Sequence, residues 1–438
     1  MILCFFFHAK ETKEKSPHMR HAQRPDSQAV THPLTHKDAM DDTNSNTSNK
    51  KIRLLLHCQG GYPPYLTPPL LQKHFHPSSP LITNHLILGI EINDTCNKAI
   101  YKTNECKKPQ GYTFEPYQVH DTLKEYTTLL CPIWSWGKNT KNSKKQEMIV
   151  KKDISTQNRD SYIILPTPNG NQKLESPIFQ NICIKSNTTY KIGMYDYLSP
   201  HKNENLKSNK RIEQSYKRTF HWYQQQSKDV IFPFLLLPPP DNDDDKINYI
   251  KKTQEGILST FKSKYLHSSA GIAYYNQSSQ TSSLQQEIHT HLIQQNKLII
   301  DINSNSLKDI IHSILYGMNV IGTNLPQAYA QRGYALLFHQ NLGNKKQKAS
   351  KVFSLLNLNN PSLKTDDTPI SDSCGCMTCQ NYTKGYVYHL IQVKEILREI
   401  LLFVHNLHTL LKLCEWVGSP GWRDVLVFSL EEEEDCSL

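Results

Sequence analysis

Residues 297–325 read KLIIDINSNSLKDIIHSILYGMNVIGTNL, and this stretch decides the fold class. The apolar run from Lys297 to Ile302 predicts a buried strand, and the run from Val320 to Leu325 predicts a second one. Between them, Ser306 is followed three residues later by Asp309, a pattern typical of a helix N-cap. The apolar residues after this cap recur at helical spacing: Leu307, Ile310, Ile311, Ile314 and Leu315. The stretch therefore predicts a strand–helix–strand unit.

The same alternation extends upstream of this unit, repeated about four times with short connections. The strands predicted there are Lys191–Leu198, Val230–Leu237 and Ala270–Tyr275, and the helices are Leu206–Gln225, Ile247–Phe261 and Leu284–Gln295. Shorter apolar runs predict further buried strands at Ile52–Leu56, Leu86–Ile92 and Tyr162–Leu165. Alternation of this kind implies parallel strands with helical crossovers, which is an α/β fold. A doubly wound sheet and a barrel both satisfy the pattern, and periodicity does not separate them.

Composition narrows the class of protein. The chain has 438 residues, 50 lysines and arginines against 40 acidic residues, and a net charge of +10. That charge favours a nucleic-acid or other anionic partner, although solvated loops rich in lysine and asparagine explain it equally well. Eleven cysteines in so long a chain argue against a small disulfide scaffold and favour reduced thiols. We see no secretory signal and no apolar run of membrane-spanning length, so we expect a soluble cytoplasmic protein.

The domain organisation follows from shifts in composition. Residues 1–50 are polar and predict a disordered leader, residues 51–339 hold the barrel-like domain, and residues 340–370 predict a polar linker loop. Residues 371–415 predict a metal-binding subdomain, which includes one long helix from Val387 to Leu413. Its apolar stripe is broad enough that we expect part of it to face another subunit. Residues 416–438 predict a tail with an acidic end.

Three cysteines lie within six residues: Cys374, Cys376 and Cys379. The spacing C-x-C-x-x-C supplies three thiolates to one tetrahedral metal and predicts a single structural zinc ion (Zn²⁺). The fourth ligand must come from elsewhere, and four nearby residues qualify: His389, His405, His408 and Cys414. A fourth protein ligand would leave no open coordination position for a substrate.

The segment CGCMTCQNYTKGYVYHL, residues 374–390, with His405-Asn406-Leu407 after it, resembles the zinc segment of the tRNA-guanine transglycosylase family. On that resemblance the fourth ligand is His405, with His408 as the alternative. The departures, Lys384-Gly385 and Tyr388, lie outside the ligand positions. Weaker similarity extends to three upstream segments, Gln59–Thr67, Arg211–Thr219 and Gly317–Phe338.

The resemblance implies a fold and an activity. The family fold is a (β/α)8 TIM-type barrel with an inserted C-terminal zinc-binding subdomain. Its chemistry exchanges the wobble guanine of tRNA for another base through an aspartate nucleophile and a second carboxylate. The nucleophile motif F-D-x-x-x-P-T-R falls on Ile321–Ala328, which places Gly322 where the aspartate should be. The segment of the second carboxylate falls on Trp134–Gly137, which contains no aspartate.

We therefore expect no catalytic residue in this chain, and we expect that changing Gly322 to alanine barely alters the rate of base exchange by a mixture with the catalytic subunit. Asp196 aligns with a base-recognising aspartate of the family, and the alternative is a surface aspartate before a turn. The resemblance implies a non-catalytic subunit that forms a heterodimer with the catalytic subunit and helps hold tRNA for queuine insertion. It also implies peripheral contact with the mitochondrial outer membrane. Two alternatives stay open: a self-sufficient transglycosylase using another carboxylate such as Asp301, and a zinc-dependent RNA-binding scaffold.

Overall fold

The computed structural model describes residues 51–58, 62–92, 123–132, 149–152, 161–167, 170–196, 209–226, 229–236, 244–275, 282–339 and 352–431. The predicted leader and the segment Trp134–Gly137 lie outside the described residues, so the expectations for them stay predictions. Within the described part of the chain, no helix combines the length and the apolar character needed to cross a membrane.

The described residues contain thirteen strands. They are β1 (Arg53–His57), β2 (Leu86–Glu91), β3 (Thr128–Cys131), β4 (Ile149–Lys152), β5 (Ser161–Thr167), β6 (Gly170–Leu174), β7 (Tyr190–Lys191), β8 (Phe232–Leu235), β9 (Gly271–Tyr275), β10 (Leu298–Ser304), β11 (Val320–Thr323), β12 (Tyr334–Phe338) and β13 (Phe353–Asn357). Eight of them are parallel and form one sheet in the order β7-β3-β2-β1-β11-β10-β9-β8.

The sheet closes on itself. An isolated parallel bridge joins Ile192, directly after β7, to Ile231, directly before β8. The Ile231 N–H donates to the Lys191 carbonyl at 2.8 Å, and the Gly193 N–H donates to the Ile231 carbonyl at 3.0 Å. The closed parallel sheet confirms the barrel and excludes the doubly wound alternative. Strands β4, β5 and β6 form a separate antiparallel sheet, inserted between the third and fourth barrel strands.

The described residues also contain twelve α-helices. They are α1 (Pro68–His74), α2 (Pro80–His85), α3 (Ser176–Lys185), α4 (Asn209–Gln225), α5 (Asp244–Lys264), α6 (Ser283–Gln294), α7 (Leu307–Leu315), α8 (Leu325–Arg332), α9 (Met377–Asn381), α10 (Lys384–Gln392), α11 (Leu397–Trp416) and α12 (Trp422–Glu431). The alternation predicted from Lys191 to Leu325 is confirmed. Most boundaries shift by a few residues, but β7 covers Tyr190–Lys191 where a strand from Lys191 to Leu198 was predicted.

The unit β10–α7–β11 follows the prediction most closely. The Ser306 hydroxyl accepts from the Asp309 N–H at 3.0 Å, while the Asp309 carboxylate accepts from the Ser306 N–H at 2.9 Å. This reciprocal capping box satisfies two backbone donors that a helix start leaves without partners. The apolar face of α7 is buried against the barrel, as its spacing predicts.

The single helix predicted from Val387 to Leu413 is wrong. The structure has two helices, α10 and α11, separated by Val393–Ile396. Lys394 lies in this break with a φ of 56°, a left-handed conformation that a continuous helix cannot contain. The apolar pattern runs through the break without a glycine or proline, so periodicity alone did not mark it.

The linker loop predicted for residues 340–370 is also wrong in part. Residues 340–351 lie outside the described residues, but β13 follows them and pairs antiparallel with β12, Tyr334 lying opposite Asn357. The tail predicted from residue 416 contains α12, which packs against α7. Both elements are short, five residues in β13 and ten in α12, so neither provides a long periodic pattern.

Helix α11 packs against the outside of the barrel. It packs against α8, β12, β1 and α2, so it covers the first barrel strand from outside. Eight of its apolar residues are 0–1% exposed: Leu401, Leu402, Phe403, Val404, Leu407, Leu410, Leu411 and Leu413. This burial uses most of the apolar stripe, of which we expected only a part to face another subunit.

Candidate metal centre and the mouth of the barrel

Four side chains form a compact group at the start of the C-terminal region. The ligand atoms of Cys374, Cys376, Cys379 and His405 all lie within 4.8 Å of one another. The His405 Nδ1 is 3.7 Å from the Cys374 Sγ, 3.6 Å from the Cys376 Sγ and 3.3 Å from the Cys379 Sγ. With zinc–sulfur bonds of about 2.3 Å and zinc–nitrogen bonds of about 2.05 Å, a tetrahedral site separates nitrogen from sulfur by about 3.6 Å. The group therefore has the donor set and the dimensions of a zinc site.

The local fold positions the thiols. Cys376 is the N-cap of α9, and its Sγ accepts the Cys379 N–H at 3.4 Å. The x-x spacing therefore places Cys379 in the first turn of a helix, where backbone N–H groups favour a thiolate. The Thr378 hydroxyl between them donates to the Leu401 carbonyl at 2.7 Å, which fastens α9 to the start of α11.

The histidine is oriented through its second ring nitrogen. The His405 Nε2–H donates to the Leu336 carbonyl on β12 at 2.9 Å, which leaves Nδ1 free to bind a metal. Neighbouring Asn406 is fully buried and bonds the same strand, accepting from the Leu336 N–H at 2.8 Å and donating to the Tyr334 carbonyl at 3.1 Å. Sequence reasoning missed this role for Asn406, although it lies inside the His405-Asn406-Leu407 motif.

The interactions among the neighbouring cysteine thiols favour a bound cation. Hydrogen bonds from Cys376 and Cys379 lower the pKa of the Cys374 thiol, whereas hydrogen bonds from Cys374 and Cys376 raise that of Cys379. Ionisation of Cys374 thus disfavours ionisation of Cys379, and a positive ion beside them would favour the thiolate of both. A divalent metal bound to all three would supply that charge.

The other candidate ligands lie outside this group. The His408 Nδ1 is 3.5 Å from the Cys374 Sγ but does not join the four-atom cluster, and neither His389 nor Cys414 is a member. Burial raises the pKa of the Cys414 thiol to about 12, which disfavours the thiolate that a metal needs. The geometry therefore supports His405 as the fourth ligand.

Gly322 lies on β11, in a position that cannot hold a side chain. Its partner strand β10 contains a bulge, since Ile321 pairs with Asp301 but Thr323 pairs with Ser304. The bulge brings the Ile302 carbonyl oxygen to 2.4 Å from the place where a Cβ on Gly322 would stand. An alanine at this position would therefore collide with backbone, not with a side chain that could move aside.

His57 occupies the space beside Gly322. It lies at the end of β1, two residues after Leu55, which pairs with Gly322. Its Nε2–H donates to the Ile302 carbonyl at 3.2 Å, the oxygen that a side chain on Gly322 would meet. Desolvation by burial lowers the pKa of His57 to about 3, so the imidazole is neutral in the folded protein. Sequence reasoning did not single out this residue.

Asp301 stabilises the bulge. Its carboxylate accepts the Asn303 N–H at 3.1 Å and the hydroxyls of Ser304 and Ser313, both at 2.6 Å. Because Ser313 belongs to α7, this carboxylate points from the barrel wall into the helix layer. Desolvation by burial raises its pKa above the ordinary range of an aspartate. These contacts are structural and leave the side chain facing away from the barrel interior.

Asp196 is buried, and two arginines hold its carboxylate. Its side chain is 0% exposed and forms ion pairs with Arg211 and Arg218 on α4. The Arg211 guanidinium donates to both carboxylate oxygens at 2.7 Å, and Arg218 donates to one of them at 2.9 Å. The alternative of a surface aspartate is therefore wrong. The two arginines were part of the quoted similarity, but nothing in their spacing assigned them this partner.

Comparisons with known proteins agree with this architecture. A family model described as queuine tRNA-ribosyltransferase matches residues 196–417, slightly more than half of the chain. Queuine tRNA-ribosyltransferase accessory subunit 2 of Caenorhabditis elegans is 30% identical over 100 residues, which are 23% of this chain and 26% of that protein. The protein of the same name from Drosophila yakuba is 38% identical over 80 residues, 18% of this chain and 19% of its own length.

A bacterial relative covers a similar share. The queuine tRNA-ribosyltransferase of Thermosipho africanus is 33% identical over 122 residues, 28% of this chain and 29% of its own length. The chain thus spans less than a third of the length of each of these relatives. The family match includes Asp196, the barrel strands from β8 to β11 and all four residues of the metal group. This chain belongs to the queuine tRNA-ribosyltransferase family.

Proposed function

We propose that this chain is the non-catalytic subunit of a queuine tRNA-ribosyltransferase, supporting a catalytic partner that exchanges the wobble guanine of tRNA for queuine. The observation that carries the proposal is Gly322. The family resemblance places the nucleophilic aspartate at this position, and the β10 backbone fills the space that its side chain would need. Two similar proteins bear the name accessory subunit 2, which fits the same role.

The chemistry explains why the loss of this side chain matters. Attack on the ribose anomeric carbon requires an anionic oxygen positioned about 3 Å from that carbon. A glycine offers only backbone amides, which are neutral and form no reversible ester-like adduct. Asn324, two residues further on, carries a carboxamide that is a poor nucleophile.

The neighbouring carboxylates do not favour a self-sufficient enzyme. Asp301 faces α7, where two serine hydroxyls and a backbone N–H bond it. Asp196 is buried beneath two arginines. Both carboxylates are buried and already bonded within the fold, so neither is available as a nucleophile in this structure. The family match over residues 196–417 in turn disfavours an RNA-binding scaffold unrelated to base exchange.

The metal group serves the fold in this proposal. Zinc bound by the three cysteines and His405 would tie the loop before α9 to α11, and α11 packs against the first barrel strand. Protein ligands fill all four positions of such a site, so the metal would stabilise the C-terminal region rather than activate water.

A partner surface remains beside the metal group. Val393 is 51% exposed and Ile396 is 66% exposed, both in the break between α10 and α11. Tyr386 on α10 is exposed as well, and its ring stacks on Tyr382 at 5.4 Å. Apolar and aromatic side chains of this kind are typical of the centre of a protein interface. We therefore place the contact with the catalytic subunit at this break.

Sedimentation of the chain mixed with the catalytic subunit tests this contact. Wild type should form a heterodimer, and Ile396→Glu should weaken it by at least tenfold in Kd, since a charge would be buried at the interface. Ile184→Glu is the matched control, because Ile184 is an exposed isoleucine on α3, outside the proposed surface. A wild-type chain that stays monomeric beside the catalytic subunit would contradict the proposal.

Trapping experiments test the absence of a nucleophile. The isolated chain, incubated with tRNA and then denatured, should carry no covalently bound RNA on a denaturing gel. The catalytic subunit, treated in the same way, serves as the positive control. A covalent adduct on the isolated chain would reject the non-catalytic assignment.

A further inference from the structure

Four side chains on one face of α4 form hydrogen bonds with Asp196. The side chains of Arg211, Ser215, Arg218 and Thr219 recur at helical spacing and lie on this face. The Ser215 hydroxyl donates to the Asp196 carbonyl at 2.5 Å, and the Thr219 hydroxyl accepts the Asp196 N–H at 3.1 Å. The two arginines hold the carboxylate. Both the backbone and the side chain of Asp196 therefore have hydrogen-bond partners, and its fully buried carboxylate is not accessible to a ligand.

The charges in this cluster do not balance. Two guanidinium groups, each positive at every physiological pH, share one carboxylate. Within the described residues, the ion pairs of Arg211 and Arg218 are all made with Asp196. The cluster therefore carries a net charge of +1 while its side chains are largely buried. A half-buried excess cation is costly unless an anion compensates it.

The arginines keep donors for such an anion. A guanidinium has five N–H groups in a planar fork, and Arg211 uses two nitrogens on Asp196 while Arg218 uses one. The side chain of Arg211 is 27% exposed and that of Arg218 is 22% exposed, so part of each group reaches solvent. The fork geometry matches the oxygens of a phosphate.

The cluster also lies where ligands bind to barrels. Asp196 follows β7 at the carboxyl end of the strand, and α4 is the helix that comes after this strand. Active sites and phosphate sites of parallel barrels are built at this end. The family resemblance places a base-recognising aspartate at this position. Here the groups that reach solvent are the two cationic guanidinium groups, whereas the carboxylate is buried.

We propose that Arg211 and Arg218 bind a phosphate of an RNA backbone at the mouth of the barrel. Asp196 is the positioning residue that orients the two guanidinium groups, and it contacts no base. This inference deepens the proposed function and rests on it for the choice of tRNA as the RNA.

A purely structural ion cluster is the competing explanation, and Arg218→Gln separates the two. This change leaves Asp196 bound to Arg211 through two hydrogen bonds, so the remaining pair is neutral and satisfied. The fold should therefore persist, while one cation is removed. Lys217→Gln is the matched control. It removes the same charge from the same helix, but Lys217 is 72% exposed and pairs with Glu213.

The experiment measures tRNA binding by the full-length chain without the catalytic subunit, over a series of salt concentrations. Each lost phosphate contact should make the slope of log K against log salt shallower by about 0.7–0.9. We expect that change for Arg218→Gln and none for Lys217→Gln, with both variants unfolding within a few degrees of wild type. An unchanged slope for Arg218→Gln, equal changes in both variants, or no binding by wild type would overturn the inference.

A second arm identifies the source of the phosphate. Inorganic phosphate is titrated into the wild-type chain and into Arg218→Gln, with the unfolding temperature as the readout. Stabilisation of wild type by inorganic phosphate alone, without the slope change for tRNA, would indicate a site for free phosphate and reject RNA. Failure of the proposed function would be seen instead as activity of the isolated chain, which neither arm measures.

Discussion

Gly322→Ala tests most simply whether the barrel has room for a side chain at position 322. The new Cβ would lie 2.4 Å from the Ile302 carbonyl oxygen and 3.1 Å from the Asp301 carbonyl oxygen. Close carbon–oxygen contacts in folded proteins lie at about 3.3 Å, so the two strands would have to separate by roughly 0.9 Å.

The energetic cost follows from what would have to move. An extra methyl group forced into a packed core costs about 1–3 kcal/mol when side chains can adjust. Here the neighbour is backbone within the β10 bulge, which the three hydrogen bonds of Asp301 hold in place. We therefore expect a loss near the upper end, about 3 kcal/mol, in the free energy of unfolding. Gly322→Asp should cost at least as much.

Denaturant unfolding of both variants gives the comparison, with Gly256→Ala as the matched control. Gly256 lies within α5, and a Cβ there would meet no atom within 4 Å. Alanine in a helix interior is favoured over glycine by about 0.5–1 kcal/mol, so the control should be slightly more stable than wild type. If Gly322→Ala unfolds at the same denaturant concentration as Gly256→Ala, the position has room for a side chain and our reasoning fails.

Further predictions concern the metal and the buried histidine. The purified chain should contain about one zinc per molecule by elemental analysis, and Cys376→Ser or His405→Ala should release it and lower the unfolding temperature, whereas His408→Ala should retain it. Zinc lost from His408→Ala but kept by His405→Ala would overturn the ligand assignment alone. Acid should destabilise the fold through His57, because the pKa of its imidazole is about 3 in the folded chain and near 6.5 in the unfolded chain. The free energy of unfolding should therefore fall as the pH drops below 6.5. At pH 5 the effect is about 2 kcal/mol, and His57→Gln should remove it; parallel stability–pH curves for the two proteins would refute this.

The local pattern was sufficient to predict the units of the barrel but not its closure. Leu307, Ile310 and Ile314 recur at helical spacing after a capping pair, so α7 and its flanking strands followed from a short window of sequence. The bridge between Ile192 and Ile231 depends on how eight strands tilt around a barrel, which no local window contains. The doubly wound alternative could therefore be excluded only by the structure.

The candidate sites also divide into features that the local sequence predicted and features that only the structure revealed. The cysteines lie within six residues, so their spacing predicted the metal group, and the motif of the family then indicated His405. Asp196 meets Arg211 and Arg218 at separations of 15 and 22 residues, and the Ile302 carbonyl reaches Gly322 only through a bulge. A pairwise ion contact or a backbone irregularity leaves no periodic signal, so these features were not predictable from the residues alone.

Base exchange into tRNA is the most direct measurement of the central claim. Labelled guanine or queuine is offered to tRNA with the isolated chain, with the catalytic subunit alone, and with an equal mixture of the two. We expect no incorporation by the isolated chain and the fastest incorporation by the mixture. Incorporation by the isolated chain, at a rate that depends on its concentration, would contradict the non-catalytic assignment.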